Sequence, residues 1–390
     1  MRPPAPDPRA AGTVIVGVSG GVDSAVAALT LLERGYAVQG LHMTNWDDAD
    51  GHCTAAADYQ DARRVCRILD IPLHRANFEA EYRERVFAHF LRTYAAGDTP
   101  NPDVLCNREI KFGVCWEYAR RLGASWIATG HYARIEHRDT GPRLSKAADL
   151  AKDQSYFLHS VEPAALSRTL FPLGDWTKAE VRRRAQAAGL PVHDKRDSTG
   201  ICFIGERPFT EFLSSHLALR PGPIETDDGR VIGEHRGLSF YTLGQRSGLH
   251  LGGRRGARAA PWYVADKDRA RNALIVVQSA DHPRLLCTRF EVLDLNWLAP
   301  PAGAGAQFDC AVKTRYRQSD LPCRVHVRDA RSATVTLRAP ARAVTPGQYA
   351  VFYVGDECLG GGVIGRRDAL EAIPERPSSG YNAAFAAEEP

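Results

Sequence analysis

Short apolar runs alternate with amphipathic stretches through the first half of the chain. The runs at 14–18, 37–43, 73–78 and 126–129 are short and almost uniformly apolar, which predicts strands covered on both faces. Between them, 25–34, 58–69, 79–96 and 111–122 carry apolar positions at helical spacing. Such alternation predicts an α/β fold with a doubly wound parallel sheet. Ligands in sheets of this kind bind beyond the carboxyl ends of the strands.

After Pro208 the pattern changes. A last helical stretch at 208–217 gives way to Gly- and Pro-rich sequence with short strands at 231–234, 262–264 and 274–278. Six further strands are predicted at 290–295, 308–313, 323–327, 333–337, 349–354 and 359–364. Their close spacing suggests a small closed β-barrel. The expected organisation is a disordered leader (1–12), an α/β catalytic domain (13–217), a small mixed central domain (218–284), a C-terminal β-barrel (285–368) and a flexible tail (369–390).

Composition adds little to the fold but narrows the setting. At 390 residues, with 44% hydrophobic and 25% charged, the chain can build two or three ordinary cores. No apolar stretch reaches membrane-spanning length, and the Pro-rich start has no signal-peptide pattern. Nine cysteines, without a CxxC pair, argue for reduced thiols in the cytoplasm rather than a disulfide framework or a zinc ribbon. The net charge of +4 is uneven: residues 251–345 hold 16 Lys+Arg against 8 Asp+Glu. That bias suggests a polyanionic partner, the bland alternative being a solvated arginine-rich face.

The candidate chemistry starts at the end of the first strand. Gly17, Val18, Ser19, Gly20, Gly21, Val22, Asp23 and Ser24 write a strand end, a glycine turn and a helix start in order. Backbone N–H groups at such a turn cradle phosphate, and the two serines add hydroxyls. The loop has no lysine, so it is not the loop of kinases and GTPases. It resembles the signature of the ATP pyrophosphatases, which split ATP between the α and β phosphates. Met43 and Gly130 fall past later strands on the same edge and are placed to touch the base or ribose.

Two cysteines sit in loop-like surroundings. Cys106 follows Thr99-Pro100-Asn101-Pro102-Asp103, where two prolines predict an extended loop leading into a helix at Lys111. A helix N-terminus with Arg108 and Lys111 nearby would favour a thiolate. Cys202 lies among Asp197, Ser198, Thr199, Gly200 and Gly205. Cys66, Cys115, Cys287, Cys310, Cys323 and Cys358 sit in apolar patterns and are read as small core residues, while Cys53 is left undecided.

With these strings, and with Thr129–Arg134, Lys152–Leu158, Thr242–Arg246, Val312–Gln318 and Thr345–Gln348, the chain resembles the tRNA-specific 2-thiouridylases from about residue 13 to 364. The leader, the tail and the arginine-rich 254–258 depart from that pattern without touching a motif. The resemblance implies ATP-dependent 2-thiolation of the wobble uridine of tRNA, with AMP and pyrophosphate as products. It implies Cys202 as the persulfide carrier, Cys106 as the nucleophile that ends in a disulfide with it, and Asp103 in proton transfer. It implies that Asn101, Pro102 and Asp103 meet the target base. It also implies that His131, Lys152, Asp153, Gln154, Arg315, Tyr316 and Gln348 meet the tRNA. ATP is the expected nucleotide, Mg2+ the expected cation, and Asp23 a candidate ligand for it. The expected partners are tRNA and an upstream sulfur-relay or cysteine desulfurase protein, with no membrane. The competing readings are another AMP-forming ATP pyrophosphatase and a non-catalytic nucleotide- or RNA-binding protein.

Overall fold

The computed structural model describes residues 12–46, 55–196, 209–217, 220–251, 260–299 and 303–370. Cys53, Cys202 and the whole Asp197–Gly205 string lie outside these residues, as do residues 1–11 of the leader, most of the tail and 254–258.

The first sheet is built from β1 (Thr13–Gly17), β2 (Ala37–Thr44), β3 (Leu73–Asn77), β4 (Ala124–Ala128) and, after a hairpin of β5 (Arg134–Arg138) and β6 (Gly141–Ser145), the two-residue β7 (Thr169–Leu170). Its order is β3-β2-β1-β4-β7, and every pairing is parallel. The apolar runs therefore became the strands they predict. Period-two geometry splits the central strand between two cores. Ile15 joins Leu41, Ile127 and the helical segment 102–121 on one face. Val14 and Val16 join α1 (Val22–Glu33) and α2 (Ala55–Ile68) on the other. The alanines of α1 (Ala25, Ala27 and Ala28) are buried, which lets the helix approach the sheet closely.

The central unit holds β8 (Gly222–Thr226), β9 (Val231–His235), β10 (Trp262–Asp268) and β11 (Ala273–Gln278), in the order β10-β11-β8-β9. The C-terminal strands are β12 (Leu286–Trp297), β13 (Gln307–Lys313), β14 (Leu321–Asp329), β15 (Ser332–Arg342), β16 (Tyr349–Val354) and β17 (Glu357–Ala369). They run β12-β15-β14-β13-β16-β17, and β17 pairs back onto β12, closing the barrel. Closure removes the sheet edges. Phe290, Val292, Val312, Val325, Val335, Phe352 and Ile364 fill the interior.

Several elements were not predicted, among them the short helices Ser155–Leu158 and Pro163–Leu166, the strand β7, and three that bear on the site or the assembly. The β5–β6 hairpin is polar and edges onto the barrel through the Ser145–Glu357 pairing. The strand β8 hides in Gly- and Pro-rich sequence. Half of the helix Lys178–Ala187 is charged, but it opens on a capping box in which Thr177 and Glu180 satisfy each other's backbone. The expectation of an extended loop through Cys106 is overturned. Pro102 opens a helix (Pro102–Leu105), and a π-helical stretch, Cys106–Val114, continues it. Proline costs nothing at a first helical position, because that N–H has no partner there anyway. Asn101 caps the helix by accepting from the Asp103 N–H at 3.1 Å.

Candidate active site

The phosphate loop is tightly determined. Gly20 has φ +82°, and a Cβ there would stand 2.2 Å from the Asp58 carbonyl oxygen, so only glycine fits. Ser24 Oγ donates to the Gly21 carbonyl at 3.0 Å and accepts from Ser19 N at 3.2 Å. Ser19 Oγ lies 3.3 Å from Ser24 Oγ and accepts from Gly21 N at 3.4 Å. The two serines thus brace the turn before any ligand arrives. A Cβ on Gly17 would be 3.8 Å from Thr129 Cγ2 and 3.9 Å from Met43 Cε, and one on Gly130 would press to 2.7 Å on the Asp23–Ser24 backbone. The structure therefore gathers Gly17, Met43, Gly130 and the loop on one edge. Val18 and Val22 are buried beneath it and serve the core.

Two lysines that sequence reasoning missed complete this end. Lys178 Nζ donates to both Asp23 carboxylate oxygens, at 2.7 and 2.8 Å, and the Tyr132 hydroxyl donates to Asp23 Oδ1 at 2.8 Å. Lys195 Nζ donates to the Gly20 carbonyl at 3.0 Å and to Asp58 and Asp61 at 2.7 and 2.6 Å. In a planar trans peptide the Gly20 C=O and the Gly21 N–H point opposite ways. Holding that carbonyl on an ammonium therefore aims the Gly21 N–H at the side where Ser19 Oγ stands. Both lysines come from far along the chain, in polar sequence with no local pattern. The Thr177–Glu180 capping spacing was the only signal near either. Asp23 does not fit a magnesium ligand in this arrangement, because its carboxylate is already neutralised by Lys178. Among the described residues no three His, Cys, Asp or Glu side chains cluster as metal ligands.

Cys106 begins the π-helical stretch and is 2% exposed. Asp103, one turn earlier, is half-buried, and burial raises its carboxyl above the usual range, with the Lys111 charge pulling the other way. Lys111 also reaches His131 Nε2 at 3.5 Å, while His131 Nδ1 lies 2.7 Å from Thr129 Oγ1. Burial between Phe112 and Phe171 holds His131 neutral, its pKa well below the ordinary value. With Nε2 accepting from the lysine, Nδ1 carries the proton towards Thr129. His131 thus links the Cys106 helix to the strand end that lies on the phosphate loop.

The residues expected at the tRNA are differently placed. Asp153 is 3% exposed, and its carboxylate accepts from Ala147 N, Ser155 N and Ser155 Oγ, a turn-holding role. His131 is buried as described. Gln154 Oε1 accepts from Tyr132 N at 3.0 Å, and Lys152 is half-buried. Arg315 Nη2 donates to the carbonyls of Leu243 and Ala343, both at 2.9 Å, and to Thr345 Oγ1 at 3.1 Å. It ties the barrel to the central unit. Tyr316 packs on Phe157 at 4.4 Å between ring centroids, and Asn107 donates to the Phe157 carbonyl at 3.1 Å. Gln348 Nε2 donates to Thr99 O at 2.6 Å, and a Cβ on Gly347 would stand 2.8 Å from Asp98 Cβ. From the central unit, Lys267 donates to Gly97 O at 2.7 Å, Arg269 pairs with Asp98 at 2.5 Å, and Thr242 meets Thr99 at 3.3 Å. Segment 97–101, which delivers Asn101, Pro102, Asp103 and Cys106, is therefore where all three units meet.

Three family models match the chain in order. They are the tRNA methyl transferase HUP domain over residues 12–206, the tRNA methyl transferase PRC-barrel domain over 210–278 and the aminomethyltransferase β-barrel domain over 287–364. Fold and site thus define a HUP-domain protein with a PRC-barrel and a C-terminal β-barrel. The tRNA-specific 2-thiouridylase MnmA of Chromohalobacter salexigens is 56% identical over 365 residues, covering 91% of this chain and 94% of that protein. The proteins of the same name from Tolumonas auensis and Cupriavidus metallidurans are each 54% identical, covering 91% and 90% of this chain and 96% and 98% of their own lengths. The chain belongs to the tRNA-specific 2-thiouridylase family, the tRNA-uridine 2-sulfurtransferases.

Proposed function

We propose that this protein 2-thiolates the wobble uridine of tRNA at the expense of ATP. The loop Gly17–Ser24, with Met43 and Gly130, holds ATP. The uridine C2 oxygen attacks the α-phosphorus, and pyrophosphate leaves. The terminal sulfur of a Cys202 persulfide is released as hydrosulfide when the Cys106 thiolate attacks Cys202 Sγ, which joins the two cysteines in a disulfide. Hydrosulfide then adds at C2 and expels AMP. A thiol reductant restores the two thiols. Asp103, its carboxyl raised by burial, is suited to shuttle the proton. Magnesium is left out of this scheme, since Lys178 occupies Asp23. An upstream sulfur-relay or desulfurase protein in the cytoplasm loads Cys202. Asn101 and Pro102 flank the target base, and Lys152, Tyr316 and Gln348 stand towards the tRNA.

The observation that supports this reading best is the short bridge from the Cys106 helix through Lys111 and His131 to Thr129 and Gly130, which lie on the phosphate loop. Adenylation and sulfur chemistry then share one site. The test is pyrophosphate release and thiolation of purified tRNA, the latter read by retardation on a mercury gel. The wild type yields AMP, pyrophosphate and retarded tRNA. Cys106→Ser and Cys202→Ser each lose thiolation while keeping the fold. Thiolation by either variant removes that cysteine's role, and ADP as the main wild-type product removes the adenylation step.

A further inference from the structure

A second pair of thiols lies in the barrel, away from the site described above. Cys310 on β13 and Cys323 on β14 stand directly opposite each other in an antiparallel ladder. Opposed residues in such a ladder have Cα atoms about 4.5 or 5.5 Å apart, and both spacings fall inside the range a disulfide bridges. Their sulfurs are already 3.6 Å apart. Small side-chain rotations suffice to bring the sulfurs together, with the strands left in register. Cys323 is buried and Cys310 is partly exposed, at the margin of the barrel core. This corrects the reading of Cys310 as a buried core residue. Cys66, Cys115, Cys287 and Cys358 are buried. Burial pushes the Cys66 thiol up to about 11 and the Cys115 and Cys358 thiols up to about 12, and the Cys323 contact together with burial raises the Cys310 thiol as well, so it is the paired sulfur and not an acidic thiol that sets Cys310 apart.

We propose that Cys310 and Cys323 form a second oxidisable dithiol, a modification site whose intramolecular disulfide staples β13 to β14. The oxidant is a peroxide. Hydrogen peroxide converts the Cys310 thiol to a sulfenic acid and releases one water. The Cys323 thiol then attacks that sulfur, the S–O bond breaks, and a second water leaves with the new S–S bond. The bond closes a loop around Thr314, Arg315, Tyr316 and Arg317. That loop includes the arginine that ties the barrel to the central unit. Because the ladder is already formed, the staple restrains the unfolded chain more than it alters the native one. Oxidised protein is therefore harder to unfold and binds tRNA as before. It follows that a disulfide found in this protein is not by itself evidence of turnover at Cys106 and Cys202.

The experiment uses the full-length Cys106→Ser/Cys202→Ser variant, so that no catalytic disulfide can form. After hydrogen peroxide and quenching of remaining thiols, intact mass and peptide mapping should show loss of two hydrogens and a crosslinked Cys310–Cys323 peptide. The melting midpoint should rise by several degrees and return on reduction with a phosphine. Adding Cys323→Ala, which preserves a small apolar side chain, should abolish both changes. Single thiols oxidised to sulfinic acid without a crosslink, or a crosslink that involves neither residue, would overturn the proposal. The result does not depend on thiolation, so failure here and failure of the proposed function are told apart.

Discussion

The phosphate loop is held from within its own domain: Ser19 and Ser24 bond across the turn, Gly20 packs on α2, and Lys195 grips the Gly20 carbonyl. Segment 97–101, which delivers Asp103 and Cys106, is held from outside. Lys267, Arg269 and Thr242 reach it from the central unit, and Gln348 reaches it from the barrel. The nucleotide end is a local device that one α/β domain completes. The segment leading to Cys106 is held by contacts from three units. In the proposed mechanism, ATP is thus bound by a one-domain device, and Cys106 is presented by a segment that three units hold.

The sharpest way to break this contrast is at Gly20. Gly20→Ala forces a side chain into a left-handed position and onto the Asp58 carbonyl. It should cost at least ~2 kcal/mol and weaken ATP binding on the order of tenfold or more. Affinity for tRNA should stay unchanged. Calorimetric titration with ATP and filter binding with tRNA read the two arms. Equal losses in both would mean the loop is not a local device.

Arg315 and Arg317 sharpen the outer half of the comparison. Arg315→Ala removes the side-chain donor to the Leu243 carbonyl and one of the two donors to the Ala343 carbonyl, which keeps the Thr345 hydroxyl, and burial already lowers the arginine's own pKa. A loss of about 1–3 kcal/mol in urea unfolding is expected. Arg317, whose guanidinium lies 5.5 Å over the Tyr316 ring, has no such carbonyl ties. Arg317→Ala should leave stability within about 0.5 kcal/mol and lower the salt slope of tRNA binding by roughly one unit. A stability loss from Arg317→Ala, or none from Arg315→Ala, would reverse the assignment of the two arginines.

The most gradual effect is a pH slope at the junction of the catalytic domain with the barrel. His159 is fully buried, donates from Nδ1 to the Tyr156 carbonyl at 2.7 Å, and has its pKa brought down to about 4 by burial. The unfolded chain takes up a proton near pH 6.5, whereas the folded one does so only near pH 4. Stability from this group is therefore complete above pH 6.5 and falls as pH drops towards 4, by up to about 1.4 kcal/mol per pH unit. His159→Gln should flatten that limb of the stability–pH curve, whatever it does to the plateau. An unchanged slope would place the acid sensitivity elsewhere.

The sequence alone determined the parallel sheet, the position of the glycine loop and the six-stranded barrel. Each is announced by local pattern: uniform apolar runs, two glycines at a strand end, and closely spaced alternating strands. It also singled out Cys106, but placed it in an extended loop, because proline was weighed as a helix breaker rather than as a first helical residue. What only the tertiary structure decided are long-range pairings that no local pattern encodes. Lys178 meets Asp23 across 155 residues, and Lys195 meets Gly20 across 175. Arg315 Nη2 meets the carbonyls of Leu243 and Ala343, and Cys310 faces Cys323 through strand register. Residue type fixes what a side chain is able to bond. Which partner it bonds depends on which segments the folded chain brings within a few ångströms.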